Sequence, residues 1–426
     1  MKKRFDEFTG ESLFCKKHES GLSIYIMPRK GYNSSYAIFG TRYGSVDSCF
    51  KVPGEDDLTT VPDGIAHYLE HKMFDQPDGS NVFDKFSKFG GNANAFTSFN
   101  MTAYLFSCTD CFYDNLKTLM DYVQSPYFTK ESVQKEQGII GQEIKMYDDN
   151  APWRVFFNLL GCLYHNHPVK LDIAGTVDSI SHIDADLLYK CYNTFYNLSN
   201  MAIFVTGDLD VEETLSVIEG SIKNNKPFTE EIERVYPDEP DTIASSYCEQ
   251  KIPVAQPIFM IGFKDTDVGY GGERLLKKSI EMDILSEMMF GKSTKLYNNL
   301  YSQGLINNSF SVEFNPQIAY GFTAIEGESP DPQKVFEEIK AEISSFIPQK
   351  EEFERIKKVV WGDYIRSFND IEGYAHSFIT ELFTDGDYFD YPRVFETVSF
   401  EDIKNRFKQH FDTKNAALSV VKPIEN

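Results

Sequence analysis

Apolar and polar residues alternate in period two over Leu22-Ser23-Ile24-Tyr25-Ile26-Met27 and Ser35-Tyr36-Ala37-Ile38-Phe39, which predicts two half-buried strands. Thr102–Ser107 and the run Ala202-Ile203-Phe204-Val205 predict two more. Between them the period lengthens to that of a helix. Gly64–Phe74, Cys111–Val123 and Thr129–Tyr147 read as amphipathic helices, the last with Thr129 as N-cap and Pro152 beyond its end. A similar order returns later: strands at Pro257–Phe263 and Gly321–Glu326, and helices near Arg274–Phe290, Pro332–Ile347 and Lys350–Asn369. Strands and helices that alternate twice in the same coarse order predict an α+β chain made by internal duplication.

The two halves meet in a stretch of changed composition. Pro227, Glu230, Glu231, Pro237, Asp238, Glu239, Pro240 and Asp241 crowd together, and proline with like charges disfavours a buried helix or central strand. The expected organisation is therefore a first domain over 1–226, an acidic linker over 227–248 and a second domain over 249–426. At 426 residues the chain is too long for one core, and each half is long enough for its own.

Charge narrows the choice of partner. Lys+Arg 42 against Asp+Glu 65 leaves −23, a field that repels phosphate backbones and argues against nucleic acid. Residues 1–226 hold 21 basic and 30 acidic side chains, net −9, and the remainder 21 and 35, net −14. No run approaches the roughly 20 apolar residues of a membrane span, and the basic N-terminus lacks the apolar run of a secretory signal. Seven scattered cysteines suit reduced thiols, so the expected location is the cytoplasm.

The helix over Gly64–Phe74 carries His67-x-x-Glu70-His71. At 100° per residue these three side chains fall on one face while Leu69 points away toward a core. Two imidazoles one turn apart can take two positions of a tetrahedral zinc ion, and an adjacent carboxylate can act as a base. A third ligand must come from elsewhere. The Thr129–Tyr147 helix offers Glu136 and Glu143, seven residues apart on one face. Cys108-Thr109-Asp110-Cys111 has the spacing of a zinc half-site but no second pair, and Gly291-Lys292-Ser293-Thr294 imitates the end of a phosphate-binding loop without its upstream glycine; both are set aside. His165-Asn166-His167, before Pro168, reads as a structural loop.

These motifs resemble the pitrilysin/insulinase family of zinc metallopeptidases, in the processing-peptidase-like branch and its YmfH-type subgroup. The likeness rests on Gly64-x-x-His67-x-x-Glu70-His71-x-x-Phe74, Gly91-Asn92-Ala93-Asn94-Ala95-Phe96-Thr97, Thr102-Ala103-Tyr104, Glu136 through Glu143, His167-Pro168, Gly175, Tyr196-x-x-x-Asn200-Met201 and Gly207-Asp208. The resemblance implies two homologous α/β-roll halves with mixed sheets packed by helices. It makes His67, His71 and Glu143 zinc ligands, Glu70 the base that takes a proton from zinc-bound water, and Glu136 a carboxylate that orients a ligand. It makes Asn94-Ala95-Phe96-Thr97 an edge strand, with Asn94, Ala95 and Phe96 as substrate-binding residues, that binds peptides by strand addition in a closed chamber. A different class of reading is a non-catalytic structural or chaperone-like subunit.

One departure from the family pattern stands out. Where the family carries an Arg and a Tyr seven positions on, this chain reads Leu300-Tyr301-Ser302-Gln303-Gly304-Leu305-Ile306-Asn307, with no Arg and with Asn307 at the Tyr position. The resemblance then implies a heterodimer in which a related inactive chain brings the Arg/Tyr pair, although a homodimer, or replacement by Tyr301 or Tyr320, is also compatible.

Overall fold

The computed structural model describes residues 1–223 and 226–424. Strands and helices form where the apolar periods put them, including strands Ser23–Pro28, Ser35–Thr41, Thr102–Cys108 and Met201–Gly207 and helices Ile65–Lys72, Phe112–Val123 and Lys130–Asp148. Pro152 lies beyond the end of Lys130–Asp148 as expected and has a further role there. It occupies the first turn of a further helix, Ala151–Leu163, where its missing N–H costs nothing.

The chain folds as two compact units, and neither is one stretch of sequence. The first comprises Met1–Ile144, Asp172–Tyr236 and Ser367–Phe383; the second comprises Lys145–Leu171, Pro237–Arg366 and Thr384 onward. A single cut at 227–248 therefore does not separate them: one helix of each sequence half is built into the other unit.

The first unit is organised on a seven-stranded mixed sheet in the order Lys2–Phe5, Ser12–Lys17, Ser23–Pro28, Met201–Gly207, Ser35–Thr41, Thr102–Cys108, Asn92–Thr97. Only Ser23–Pro28 and Met201–Gly207 run parallel. The helix Ile371–Phe383 covers one face: Phe378 meets the rings of Tyr25 and Phe204, and a Cβ on Gly40 would lie 2.9 Å from Phe383. Phe378 and Ile379 are fully buried, each worth about 2–3 kcal/mol of apolar burial.

The second unit repeats the last five strands of this order, from Ser23–Pro28 to the edge strand Asn92–Thr97. Its sheet runs Tyr247–Lys251, Ala416–Lys422, Ile258–Lys264, Gly321–Glu328, Ser311–Pro316, again with only the first pair parallel. Here the helix Ala151–Leu163 covers the sheet, and a Cβ on Gly262 would meet Leu159 at 2.8 Å. Gly40 and Gly262 thus do the same thing, each letting a helix from the other sequence half lie close on a central strand.

The acidic stretch is tied down within each unit. Glu233–Arg234 pairs with Cys49–Lys51, Arg234 bonds the buried Asp47 at 3.1 Å, and the Tyr236 hydroxyl donates to Asp47 at 2.9 Å. In the second unit Glu239 accepts the backbone N–H groups of His165, Asn166 and His167 and pairs with Lys264. Burial works against its charge, but these bonds win and hold Glu239 down at about 2. The His165–His167 segment is accordingly a clamped loop.

Candidate metal centre

The helix Ile65–Lys72 begins at Gly64, whose φ is +88° and whose Cβ, if present, would lie 2.4 Å from the Ala174 carbonyl oxygen. Gly175, at φ +73°, faces the Asp63 carbonyl in return. Two backbones touch here, and only glycine permits both the left-handed conformation and the approach. Leu69 is fully buried, and the Tyr68 hydroxyl donates to the Val133 carbonyl of the helix Lys130–Asp148. These contacts fix the start and the rotation of the helix, so His67, Glu70 and His71 face Glu136 and Glu143.

The imidazole Nε2 of His67 lies 3.8 Å from Glu143 Oε1, and that of His71 lies 3.4 Å from Glu143 Oε2. One ligand atom from each of His67, His71 and Glu143 falls within 4.8 Å of the others. Ligands of a tetrahedral zinc ion, at about 2.0–2.1 Å from the metal, are separated by about 3.3 Å. The three residues thus fit a zinc ion with little movement, and they are the one such group among the described residues. Glu136 Oε1 sits 3.1 Å from His71 Nδ1, the ring nitrogen that is not aimed at Glu143. A carboxylate there fixes the ring and raises its basicity.

The electrostatics describe a site built for a cation. Burial, with the neighbouring His71, lowers His67 to about 4 and keeps it neutral, as a ligand must be. Burial also opposes charge on His71, but the hydrogen bonds its ring donates to Glu136 and then Glu143 overcome it and raise His71 to about 10. Without metal, a proton on His71 therefore supplies the positive charge between the two carboxylates. Glu136 is correspondingly lowered, its bond to His71 outweighing burial. Glu70 is buried and its carboxyl is raised, chiefly by desolvation, against a hydrogen bond from Thr97. A general base wants such a shift toward neutrality.

Asn92–Thr97 is the last strand of the sheet, paired on one side to Thr102–Cys108. Because the Ser98 N–H bonds the Met101 carbonyl, alternation turns the N–H and C=O groups of Ala93, Ala95 and Thr97 toward the free edge. The Ala95 N–H is held there by its neighbour's Asn94 Oδ1 at 2.9 Å. Phe96 lies on the sheet face away from Thr97, stacked on His376, which in turn bonds the Tyr36 hydroxyl at 2.7 Å. Thr97, which the sequence places on this edge strand, has a contact that the sequence does not show: its Oγ1 donates to Glu70 Oε2 at 2.7 Å. Its odd-numbered place on the strand, shared with Ala93 and Ala95, was the available signal.

In the second unit, Asn307 donates to Glu328 and accepts from Ser309. Tyr301 is exposed, whereas Tyr320 is buried against the His167 ring. Cys111 is exposed and Cys108 buried, without a metal group around them among the described residues. No described helix is long and apolar enough to cross a membrane.

The model of the insulinase family (peptidase family M16) matches residues 59–177, and that of the peptidase M16 inactive domain matches residues 182–360. The chain is 42% identical to YmfH of Bacillus subtilis (strain 168), an uncharacterized zinc protease, over 97% of both chains. It superposes with a TM-score of 0.92 on an M16-like peptidase from Alicyclobacillus acidocaldarius, 35% identical, covering 97% of this chain and 99% of that one. A protease from Helicobacter pylori, 18% identical, shares the fold with a TM-score of 0.80.

Proposed function

We propose, from the premise that this chain belongs to the insulinase family of peptidases (family M16), that it is a zinc metalloendopeptidase subunit acting on short or unfolded peptides. The observation that carries this reading is the convergence of His67, His71 and Glu143 within 4.8 Å, beside the buried carboxyl of Glu70. Zinc held there supplies a Lewis acid and makes water acidic enough to yield hydroxide near neutral pH. His67 and His71 present neutral nitrogens to it, Glu143 offers an anionic oxygen, and Glu136 holds the His71 ring in place. Glu70 accepts the proton of the attacking water on its carboxylate and later returns it to the departing amine. The free edge of Asn92–Thr97 takes an extended peptide by main-chain pairing through the N–H and C=O groups of Ala93, Ala95 and Thr97, with the side chains of Asn94 and Phe96 flanking the bound strand. Folded substrates are excluded because a strand added to an edge must be unpaired.

The chain works with a related partner that brings the Arg/Tyr pair, a reading supported by Asn307 in place of the expected Tyr. Its location is the cytoplasm, in keeping with seven scattered cysteines. The deciding experiment is Glu70→Gln. The variant is expected to keep one zinc per chain and lose peptide hydrolysis; undiminished cleavage contradicts the assigned base. Hydrolysis assays of the chain alone and with candidate partners test the heterodimer, and full activity of the chain alone overturns it.

A further inference from the structure

We propose that Thr97 is a positioning residue for Glu70, joining the strand that receives the peptide to the carboxylate that performs the proton transfer. Thr97 ends the edge strand and lies beside Thr102 in the sheet. By the strand's alternation its N–H and C=O face the free edge, while its hydroxyl reaches inward to Glu70 Oε2 at 2.7 Å. No other residue of Asn92–Thr97 has a hydroxyl, and none combines these two directions.

The hydroxyl has one proton, and the surroundings determine where it goes. The Thr102 hydroxyl lies 3.4 Å away but donates its own proton to the Tyr43 carbonyl at 2.9 Å, so it leaves Thr97 to serve Glu70. Tyr43 and Thr102 are fully buried, which fixes the arrangement from beneath. With Oε2 held, rotation of the Glu70 carboxylate is restricted and Oε1 is left for the water. A peptide pairing with the main chain of Thr97 stiffens the residue that aims the base, so docking and orientation act through one residue.

This inference rests on Glu70 being the base, and the test separates the two claims. Thr97→Val keeps the β-branched shape and removes the donor; Thr97→Ser keeps the donor. In a peptide assay with the wild-type assembly, Thr97→Val is expected to lower kcat about 10–100-fold with KM, zinc content and melting temperature unchanged, and Thr97→Ser to restore most of it. Equal kcat for wild type and Thr97→Val overturns the proposal, as does a loss that appears only in KM. Crystal structures of both proteins give a readout independent of hydrolysis: the Glu70 carboxylate is expected in one orientation in the wild type and rotated or split in Thr97→Val. An unmoved carboxylate overturns the positioning role even if no peptide is cleaved, whereas a wild type inactive with every partner but showing the expected rotation defeats the peptidase reading alone.

Discussion

The two units use one sheet plan and deal with buried carboxylates in opposite ways. In the first, the helix facing the edge strand carries His67, Glu70 and His71, and the carboxylates of Glu136 and Glu143 are met by an imidazole. In the second, the helix Gly272–Phe290 repeats the spacing as Lys278-x-x-Glu281-Met282, and fixed cations do the neutralising. Arg406 bonds Glu281 at 3.0 Å and Asp267 at 2.9 Å, and Lys278 pairs with the buried Asp265. A guanidinium is always charged and never leaves. Histidine can give up its proton, so its place between carboxylates can pass to a metal. The same scaffold becomes an ion network in one unit and an exchangeable cation site in the other.

The contrast can be broken most forcefully at the metal. Glu143→Gln is expected to weaken zinc binding on the order of a thousandfold, since each ligand carries roughly a quarter of the binding energy of a structural site; calorimetry in a competing chelator measures it. Arg406→Met in the second unit should leave zinc affinity unchanged but lower stability by about 3 kcal/mol, because Glu281 and Asp267 lose their shared cation; urea unfolding reads this.

A pH series sharpens the comparison further. His71 lies at about 10 in the metal-free protein against an ordinary 6.5, so its proton adds stability that is fully present below pH 6.5 and is lost as pH rises through 10. A metal must displace that proton. Zinc affinity should therefore rise about tenfold per pH unit between pH 7 and 9 and level off near 10, and replacing Glu136 with Gln should flatten the slope. Chelator-buffered titrations at several pH values test both.

Local pattern made much of this legible. The period-two runs and the His67-x-x-Glu70-His71 face are properties of short segments, and the spacing of Glu136 and Glu143 needs only a straight helix. What escaped was tertiary. The helices Ala151–Leu163 and Ile371–Phe383 are not among the expected elements, and periodicity does not say which sheet would receive them. The bond from Thr97 to Glu70 joins residues 27 positions apart and leaves no mark on either segment alone. The acidic stretch looked like a tether because composition is blind to pairing: Arg234 and Glu239 are spent on Asp47 and on the His165–His167 backbone.

The helix Ile371–Phe383 also sets a clock for biosynthesis. A chain emerging from the ribosome makes every strand of the first sheet by residue 207, but the helix that covers Tyr25, Gly40 and Phe204 arrives only when residue 383 of 426 has been made. Until then an apolar sheet face waits uncovered, a stage at which chains are prone to associate wrongly or need a chaperone. The unit bearing the metal-binding residues is thus completed long after those residues themselves have been synthesised.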